Sequence, residues 1–181
     1  MMEELFLELQ DTQWPLDYIN HDRQIARAIV IDENHQFYFI RVHRDDDFGK
    51  ATLIETAGGG VEPNESVEAA IQRELHEELG AKVEILCKLG VVSDYYNKVH
   101  RHNINHYFLC KAIAFGATSM TQQEKEDFHL STLCISYEQA LQEYKTSAQY
   151  PLGKLLAQRE LPVLQKAVEW LSEHEKKTAL L

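Results

Sequence analysis

Three glutamates that lie close together in the chain offer the clearest chemistry in this sequence. Glu74, Glu77 and Glu78 follow Arg73 and fall at positions i, i+3 and i+4 of a predicted helix. At roughly 100° per residue they share one sector of the helix, beside an apolar stripe. Like charges at this spacing repel one another, and a divalent cation removes the repulsion. Carboxylate oxygens grouped in this way suit Mg²⁺, or Mn²⁺ as a substitute, and such ions bridge to substrate phosphates.

A glycine-rich segment precedes these glutamates. Thr56-Ala57-Gly58-Gly59-Gly60 allows the backbone to approach a ligand or metal closely, so we expect the backbone near Gly58 to assist in holding the ion. An acidic helix face is usually only solvated, and a run of glycines is usually only a turn. Joined at this distance, the two features predict a strand–loop–helix catalytic unit.

The helix that carries the glutamates has predicted ends. Pro63 breaks the preceding chain, Asn64 is the expected N-cap, and Glu65 falls in the first turn. Gly80 is a suitable residue just beyond the C-terminus. Apolar residues recur between these ends at helical spacing, at Val67, Ala70, Ile71, Leu75 and Leu79.

Taken together, residues 59–81 read G-x5-E-x7-R-E-L-x-E-E-x-G. This pattern resembles the Nudix box, the signature of hydrolases that act on nucleoside diphosphates linked to another group. The resemblance implies a mixed α/β (α+β) fold, with a mixed β-sheet sandwiched between helices. It also implies a Mg²⁺-dependent pyrophosphatase, an acid anhydride hydrolase in which water attacks phosphorus.

The resemblance assigns roles to individual residues of the box and to one loop. It implies that Arg73 orients the glutamates through salt bridges and that Glu65 supports the structure. Glu77 and Glu78 would then serve catalysis as well as metal binding. Family members also place a carboxylate on a later loop, here within Thr118–Asp127, and the proton acceptor is therefore Glu77, Glu124 or Glu126.

Candidates for substrate contacts lie outside the box. Glu55 precedes the glycines as in ADP-ribose-type members, although Ala57 and Gly58 replace the Pro and Ala of that lead-in. A polar and aromatic patch follows later, where rings can stack on a base and a guanidinium can contact phosphate. The histidines of this patch are more often plain surface residues than metal ligands. The substrate-binding candidates are Arg41, Arg44, Glu55, Tyr95, Tyr96 and Arg101, and the histidines are His100, His102 and His106.

The remaining chain predicts strands around the box helix. Leu5, Leu7 and Leu9 alternate as in a short strand, and Asp32–His35 is a turn between two strands of a hairpin. The predicted strands are 23–31, 36–42, 52–56, 82–93, 105–114 and 128–135, with a charged loop at 44–50, a short helix at 138–144 and an amphipathic C-terminal helix at 162–177.

Length and charge restrict the class of protein. One Nudix domain over residues 1–181 is expected, with an N-terminal extension at 1–20 and the C-terminal helix within 162–179. The net charge of −11 argues against a nucleic-acid polymer as partner. The sequence begins without a signal-peptide pattern and has no apolar run of membrane-spanning length. Cys87, Cys110 and Cys134 predict reduced core thiols, and we expect a cytoplasmic protein.

Other functions share this fold. Non-catalytic regulatory modules bind a nucleotide without cleaving it, but they commonly lose box glutamates, all of which are present here. Isomerases of diphosphate-bearing lipid precursors are a further alternative. Damaged nucleoside triphosphates, ADP-ribose-like sugars and dinucleoside polyphosphates all stay open as substrates, as does a homodimer.

Overall fold

The computed structural model describes residues 2–119, 121–126 and 130–179. Within these residues the chain forms eight strands, four α-helices and one 3₁₀ turn. In chain order they are β1 (Leu5–Glu8), β2 (His21–Ile31), β3 (Phe37–Asp46), β4 (Gly49–Glu55), β5 (Ala57–Gly60), α1 (Val67–Leu79), β6 (Ala81–Tyr96), the 3₁₀ turn Asn97–Val99, β7 (Arg101–Phe115), α2 (Gln122–Glu126), β8 (Ser131–Ile135), α3 (Tyr137–Ser147) and α4 (Pro151–Thr178).

The strands build one mixed sheet. Its order is β1-β6-β7-β2-β3-β4, while β5 pairs with β2 and β8 pairs with β3. β1 runs parallel to β6 and β2 runs parallel to β7, and the other pairs are antiparallel. The predicted pairing of β2 with β3 is present at two residue pairs, and β7 is the longer partner of β2.

Alternating residues of β2 separate two parts of the core. Ala26, Ala28 and Val30 belong to a cluster with α1, whereas Ile29 and Ile31 belong to a cluster with α3 and α4. This is the alternation expected of a strand that is buried on both faces. The sheet is therefore sandwiched between α1 and the α3–α4 pair, as the mixed fold class predicts.

The start of α1 differs from the prediction. Ser66, not Asn64, is the N-cap, and its side chain accepts a hydrogen bond from the Ala69 N–H at 3.1 Å. Asn64 has a φ of 64°, in the left-handed region that asparagine tolerates, so it turns the loop instead of capping the helix. Glu65 consequently precedes the helix. Gly80 ends it as predicted, with a φ of 63°.

The glycines form a strand and not a loop. In β5, Gly58 and Gly59 pair with Arg27 and Ala26 of β2. A Cβ added to Gly58 would lie 2.1 Å from the carbonyl oxygen of Ala26, and its φ is 148°. A side chain at this position would prevent the two strands from approaching each other.

The charged segment 44–50 is also mostly strand. β3 and β4 continue to the pair Asp46 and Gly49, which leaves a two-residue turn. Asp46 accepts a hydrogen bond from the Phe48 N–H at 3.0 Å, and Gly49 takes a φ of 97°. Local turn chemistry therefore continues the hairpin where charge suggested a loop.

The C-terminal half differs from its prediction mainly in the bounds of its elements. α4 begins at Pro151 and contains Pro162, which was the expected helix start. Buried residues on both sides of Pro162, including Glu160 and Val163, hold the helix together despite the missing N–H. The polar segment 118–127 contains α2. Asp127 and Phe128 lie outside the described residues.

The cysteines differ in burial. Cys110 is buried and Cys87 is partly buried, but Cys134 is exposed, so the prediction of a core thiol is wrong for Cys134. On β8 the side chains alternate, and Ile135 takes the inward position next to Cys134. No helix within the described residues is long and apolar enough to cross a membrane.

Candidate active site

The unit formed by β5 and α1 brings two of the glutamates against the glycines. Glu78 is 7% exposed, and its Oε2 accepts a hydrogen bond from the Gly58 N–H at 2.9 Å. Glu74 is 9% exposed, and its carboxylate packs on Gly59 so closely that a Cβ there would lie 2.5 Å from it. Helical spacing and the side-chain-free strand together produce this arrangement.

Both of these carboxylates are held in surroundings that disfavour negative charge. Desolvation raises the pKa of Glu78 well above its usual value, and the charges of Glu55 and Glu74 add to the effect. Desolvation also raises the pKa of Glu74, against the opposing influence of Arg73. A cation at this place would lower the cost of keeping both groups ionised.

Arg73 forms the salt bridges that the family resemblance implies. Its guanidinium contacts Glu74 at 2.7 Å and Glu65 at 2.8 Å, and it donates to the Gly60 carbonyl at 3.0 Å. The hydrogen bonds from Arg73 lower the pKa of Glu65 to about 2. Arg73 therefore links the loop before α1, the end of β5 and the glutamate next to it in the helix.

Glu77 is placed differently from its two neighbours. Its side chain is 37% exposed and lies 3.4 Å from Arg73. It does not line the cleft beside Glu74 and Glu78. The structure therefore groups Glu74 and Glu78 and leaves Glu77 at the rim.

A cleft of about 410 Å³ opens beside Glu74 and Glu78. Carboxylates and guanidinium groups share its walls, so it can receive both a cation and an anion. Its lining consists of Arg23, Ile25, Arg27, Val42, Arg44, Glu55, Gly58, Gly59, Gly60, Glu74, Glu78, Tyr96, Arg101, Glu124 and Leu130.

Two arginines of β2 complete the cleft, and the sequence reasoning missed both. Arg27 is buried and donates to Asn105 and to the Thr56 carbonyl, each at 3.2 Å. Arg23 lies four residues earlier on the same strand, and its guanidinium packs over Gly60. The i, i+4 spacing of two arginines in a strand, which places them on one face, was the available signal.

Four of the six predicted substrate contacts lie in the cleft. Glu55, Tyr96, Arg44 and Arg101 line it, and the Arg101 guanidinium stands 5.3 Å from the centre of the Tyr96 ring. Burial, followed by the nearby charge of Arg23, lowers the pKa of Arg101.

Arg41 and Tyr95 do not reach the cleft, so their prediction as contacts is not supported. Arg41 forms an ion pair with Glu143 of α3 at 3.0 Å, and the Tyr95 ring stacks on His102 at 4.5 Å. Arg41 is followed by Val42 and Tyr95 is followed by Tyr96, and both of these neighbours line the cleft. Because adjacent side chains of a strand point to opposite faces, only one of each pair can do so.

The two candidate bases of segment 118–127 also separate. Glu124 lines the cleft, while Glu126 is hydrogen-bonded to Gln122 on exposed surface of α2. The histidines stay outside as well. His100 stacks on Tyr18, and His106 is hydrogen-bonded to Gln24.

The donors in the cleft fit a hard divalent cation. Across residues 2–119, 121–126 and 130–179, no three acidic, imidazole or thiol groups are already gathered as metal ligands. Glu74 and Glu78 nevertheless present buried carboxylate oxygens beside Glu55 and Glu124, without histidine or thiol ligands among them. Oxygen-only donors of this kind suit Mg²⁺ and Mn²⁺.

The chain is similar in sequence to one protein family and in fold to several solved structures. The family model described as NUDIX domain matches residues 21–156. The fold is similar to a NUDIX hydrolase from Nitrosomonas europaea, with a TM-score of 0.59, 14% identity, and coverage of 78% of this chain and 90% of that one. It is also similar to a MutT NUDIX hydrolase from Burkholderia pseudomallei, with a TM-score of 0.51, 24% identity, and coverage of 66% and 86%.

A third similar structure is the MutT protein from Methanosarcina mazei Go1, with a TM-score of 0.51, 20% identity, and coverage of 71% and 85%. At these identities the likeness shows the fold alone. No curated protein matches the chain.

Proposed function

The chain belongs to the NUDIX family of hydrolases, and on that premise we propose that it is a Mg²⁺-dependent enzyme that cleaves the pyrophosphate linkage of a nucleotide. The substrate would be a nucleoside diphosphate derivative or a nucleoside triphosphate. The observation that carries the proposal is the cleft in which buried Glu74 and Glu78 face Arg23, Arg27 and Arg101. It pairs a place for a cation with a place for phosphate oxygens.

Glu74 and Glu78 would hold the cation, with Glu77 and the backbone near Gly58 as further donors. When bound, the ion supplies neutralisation of phosphate charge and a more acidic attacking water. Arg73 keeps Glu74 oriented through its 2.7 Å contact. The buried position of Glu78 supports this assignment most strongly, because a buried carboxylate without a salt-bridge partner is costly unless another charge compensates it.

The arginines would bind the phosphates of the substrate. Within the described residues the buried Nε of Arg101 has no hydrogen-bond partner, and Arg23 lines the same cleft. Guanidinium groups with unused donors favour phosphate oxygens, which accept two parallel hydrogen bonds. Tyr96, which packs against Arg101, would hold that guanidinium in place.

Glu124 is the preferred proton acceptor. It lines the same cleft as Glu74 and Glu78, and its negative charge raises the pKa of Glu74. As water attacks phosphorus in line, Glu124 would take the proton, with Glu77 as the alternative at the rim. The products are a nucleoside monophosphate and a phosphorylated remainder, or pyrophosphate when the substrate is a triphosphate.

A substrate panel tests this proposal. Purified protein with Mg²⁺ is incubated with nucleoside triphosphates, oxidised nucleoside triphosphates, ADP-ribose and dinucleoside polyphosphates, and the nucleotide products, phosphate and pyrophosphate are measured separately. We expect turnover of at least one class by the native chain and loss of most of that turnover in Glu78→Gln. Tight binding of a nucleotide without any turnover would contradict hydrolysis and identify a binding module.

A further inference from the structure

We propose that Arg159 and Glu160 of α4 are positioning residues for this active site. The inference rests on the proposed function, because it concerns the geometry of the same cleft. Both residues have no exposed surface, and both lie beyond residue 156, where the family match ends. They connect the C-terminal helix to the cleft through a series of buried hydrogen bonds that begins at Arg159 and ends at Glu160.

Glu160 holds the junction between β4 and β5. Its Oε1 accepts from the Thr56 N–H at 2.7 Å, and its Oε2 accepts from the Thr56 hydroxyl at 2.5 Å. The Tyr107 hydroxyl donates to the same Oε2, also at 2.5 Å. Thr56 stands between Glu55, which lines the cleft, and the strand that carries Gly58. Glu160 therefore fixes the backbone at Thr56, between Glu55 and Gly58, both of which line the cleft.

Arg159 holds the opposite wall. Its Nη1 donates to Asp94 at 3.1 Å and to the Tyr96 hydroxyl at 2.8 Å. Tyr96 lines the cleft and carries Arg101 on its ring face. The positions of the Tyr96 ring and of Arg101, a candidate for phosphate binding, therefore depend on Arg159 of α4.

Arg27 links the contacts of Arg159 to those of Glu160. Asn105 donates to Asp94 at 2.9 Å and accepts from Arg27 at 3.2 Å. Arg27 in turn donates to the Thr56 carbonyl at 3.2 Å. The series runs Arg159–Asp94–Asn105–Arg27–Thr56–Glu160, and its two ends are adjacent residues of α4.

Stability alone explains this series poorly. Buried charges cost desolvation energy, and apolar residues of similar volume are often at least as stabilising. Among the described residues, the Nε and Nη2 of Arg159 also have no hydrogen-bond partner. The network instead serves to fix the orientation of the residues that form the walls of the cleft.

Paired hydroxyl deletions test the proposal. Thr56→Val and Tyr107→Phe each remove one hydroxyl donor to the same oxygen of Glu160, but only Thr56 belongs to the β4–β5 junction. Thr56→Ser restores the hydroxyl. The thermal midpoint of each variant is measured, and kcat, KM and the Kd for Mn²⁺ are then measured well below that temperature.

We expect Thr56→Val to lower kcat by at least about tenfold, because small displacements of reacting groups are expensive. Its Kd for Mn²⁺ should rise. Thr56→Ser and Tyr107→Phe should keep kcat within about twofold of the native value. Neither variant is expected to displace the β4–β5 junction, and kcat falls only when the residues of the cleft are displaced. Glu160→Gln should behave like Thr56→Val if it folds, and the Thr56 and Tyr107 variants decide the matter if it does not.

Two outcomes would overturn the proposal. One is an equal loss of kcat in Thr56→Val and Tyr107→Phe that follows their thermal midpoints, which is the result of a merely stabilising network. The other is an unchanged kcat and Mn²⁺ affinity in Thr56→Val. Should the native chain turn over no substrate, the proposed function fails, and the Mn²⁺ affinities of the same variants then decide on positioning alone.

Discussion

Glu74 and Glu78 both lie buried at the cleft, but their neighbours differ. Glu74 is paired with Arg73 at 2.7 Å, whereas Glu78 accepts one backbone hydrogen bond, from Gly58. Desolvation raises the pKa of both carboxyl groups, and of Glu78 more strongly. The ionised form of Glu78 therefore destabilises the folded protein, and a bound cation would offset that cost.

Glu78→Gln is predicted to abolish most turnover without lowering the thermal midpoint. The amide retains the acceptor for Gly58 and removes the desolvated charge, so the apo protein should be at least as stable as the native one. Activity, Mn²⁺ affinity and thermal unfolding are measured together. Glu68→Gln, at an exposed position of the same helix, is the control that should leave activity unchanged. Joint loss of stability and activity in Glu78→Gln would mean that this glutamate is structural.

The structure separates the two candidate bases, and mutation can test that separation. Because Glu124 lines the cleft and Glu126 faces solvent, Glu124→Gln should lower kcat by about 10²-fold with little effect on metal affinity. Glu126→Gln should have a much smaller effect. If both variants keep the native kcat, the proton acceptor is Glu77 or lies outside this segment.

Among secondary-structure elements, the β5–α1 unit was the most predictable. Its chemistry is local, since Gly58, Glu74 and Glu78 lie within one strand–helix connection and helical periodicity alone groups the glutamates. Its start was predicted wrongly because Asn64 and Ser66 are both good N-cap residues. Only the backbone conformation at each position decides between them.

Ser66→Ala is predicted to cost about 1 kcal/mol in the free energy of unfolding, the usual value for a lost N-cap. Asn64→Gly should change it by less than about 0.5 kcal/mol, because glycine takes the positive φ of 64° without steric cost. Urea unfolding of both variants measures the difference. The reverse order of the two effects would restore Asn64 as the cap.

Gly59→Ala is predicted to weaken metal binding. The new methyl group would lie 2.5 Å from the Glu74 carboxylate and must push that flexible side chain away. Gly116→Ala is a matched control, since its nearest neighbouring atom is 3.9 Å from the added Cβ. Mn²⁺ titration of the two variants compares them, and equal affinities would show that Glu74 need not stay where the structure has it.

The parts that the sequence did not predict depend on contacts between distant elements. Arg23 and Arg27 join the cleft only because β2 pairs with both β5 and β7. Strand alternation predicts that Arg41 and Arg44 face opposite sides of the sheet, but which one meets the cleft depends on where α3 packs. Arg159 and Glu160 look like ordinary charged helix residues until α4 is placed against the sheet.

At the scale of the whole molecule, the protein places arginines beside the glutamates of its cleft although its net charge is strongly negative. The sequence carries a formal charge of −11, yet four arginines line the cleft. An acidic surface opposes polyanions such as nucleic acids, while a local basic wall can still bind the phosphates of one nucleotide. We propose that residues 1–181 act as a single domain, because β1 joins the common sheet and α4 supplies core residues to it.

We propose that buried oxygen ligands hold a divalent cation needed for hydrolysis, and the dependence of turnover on metal tests this most directly. Turnover of the best substrate is measured in metal-free buffer, with Mg²⁺, with Mn²⁺, and after addition of excess chelator. We predict no turnover without metal, activity with either ion, and loss of that activity on chelation. Undiminished hydrolysis in excess chelator would contradict the account.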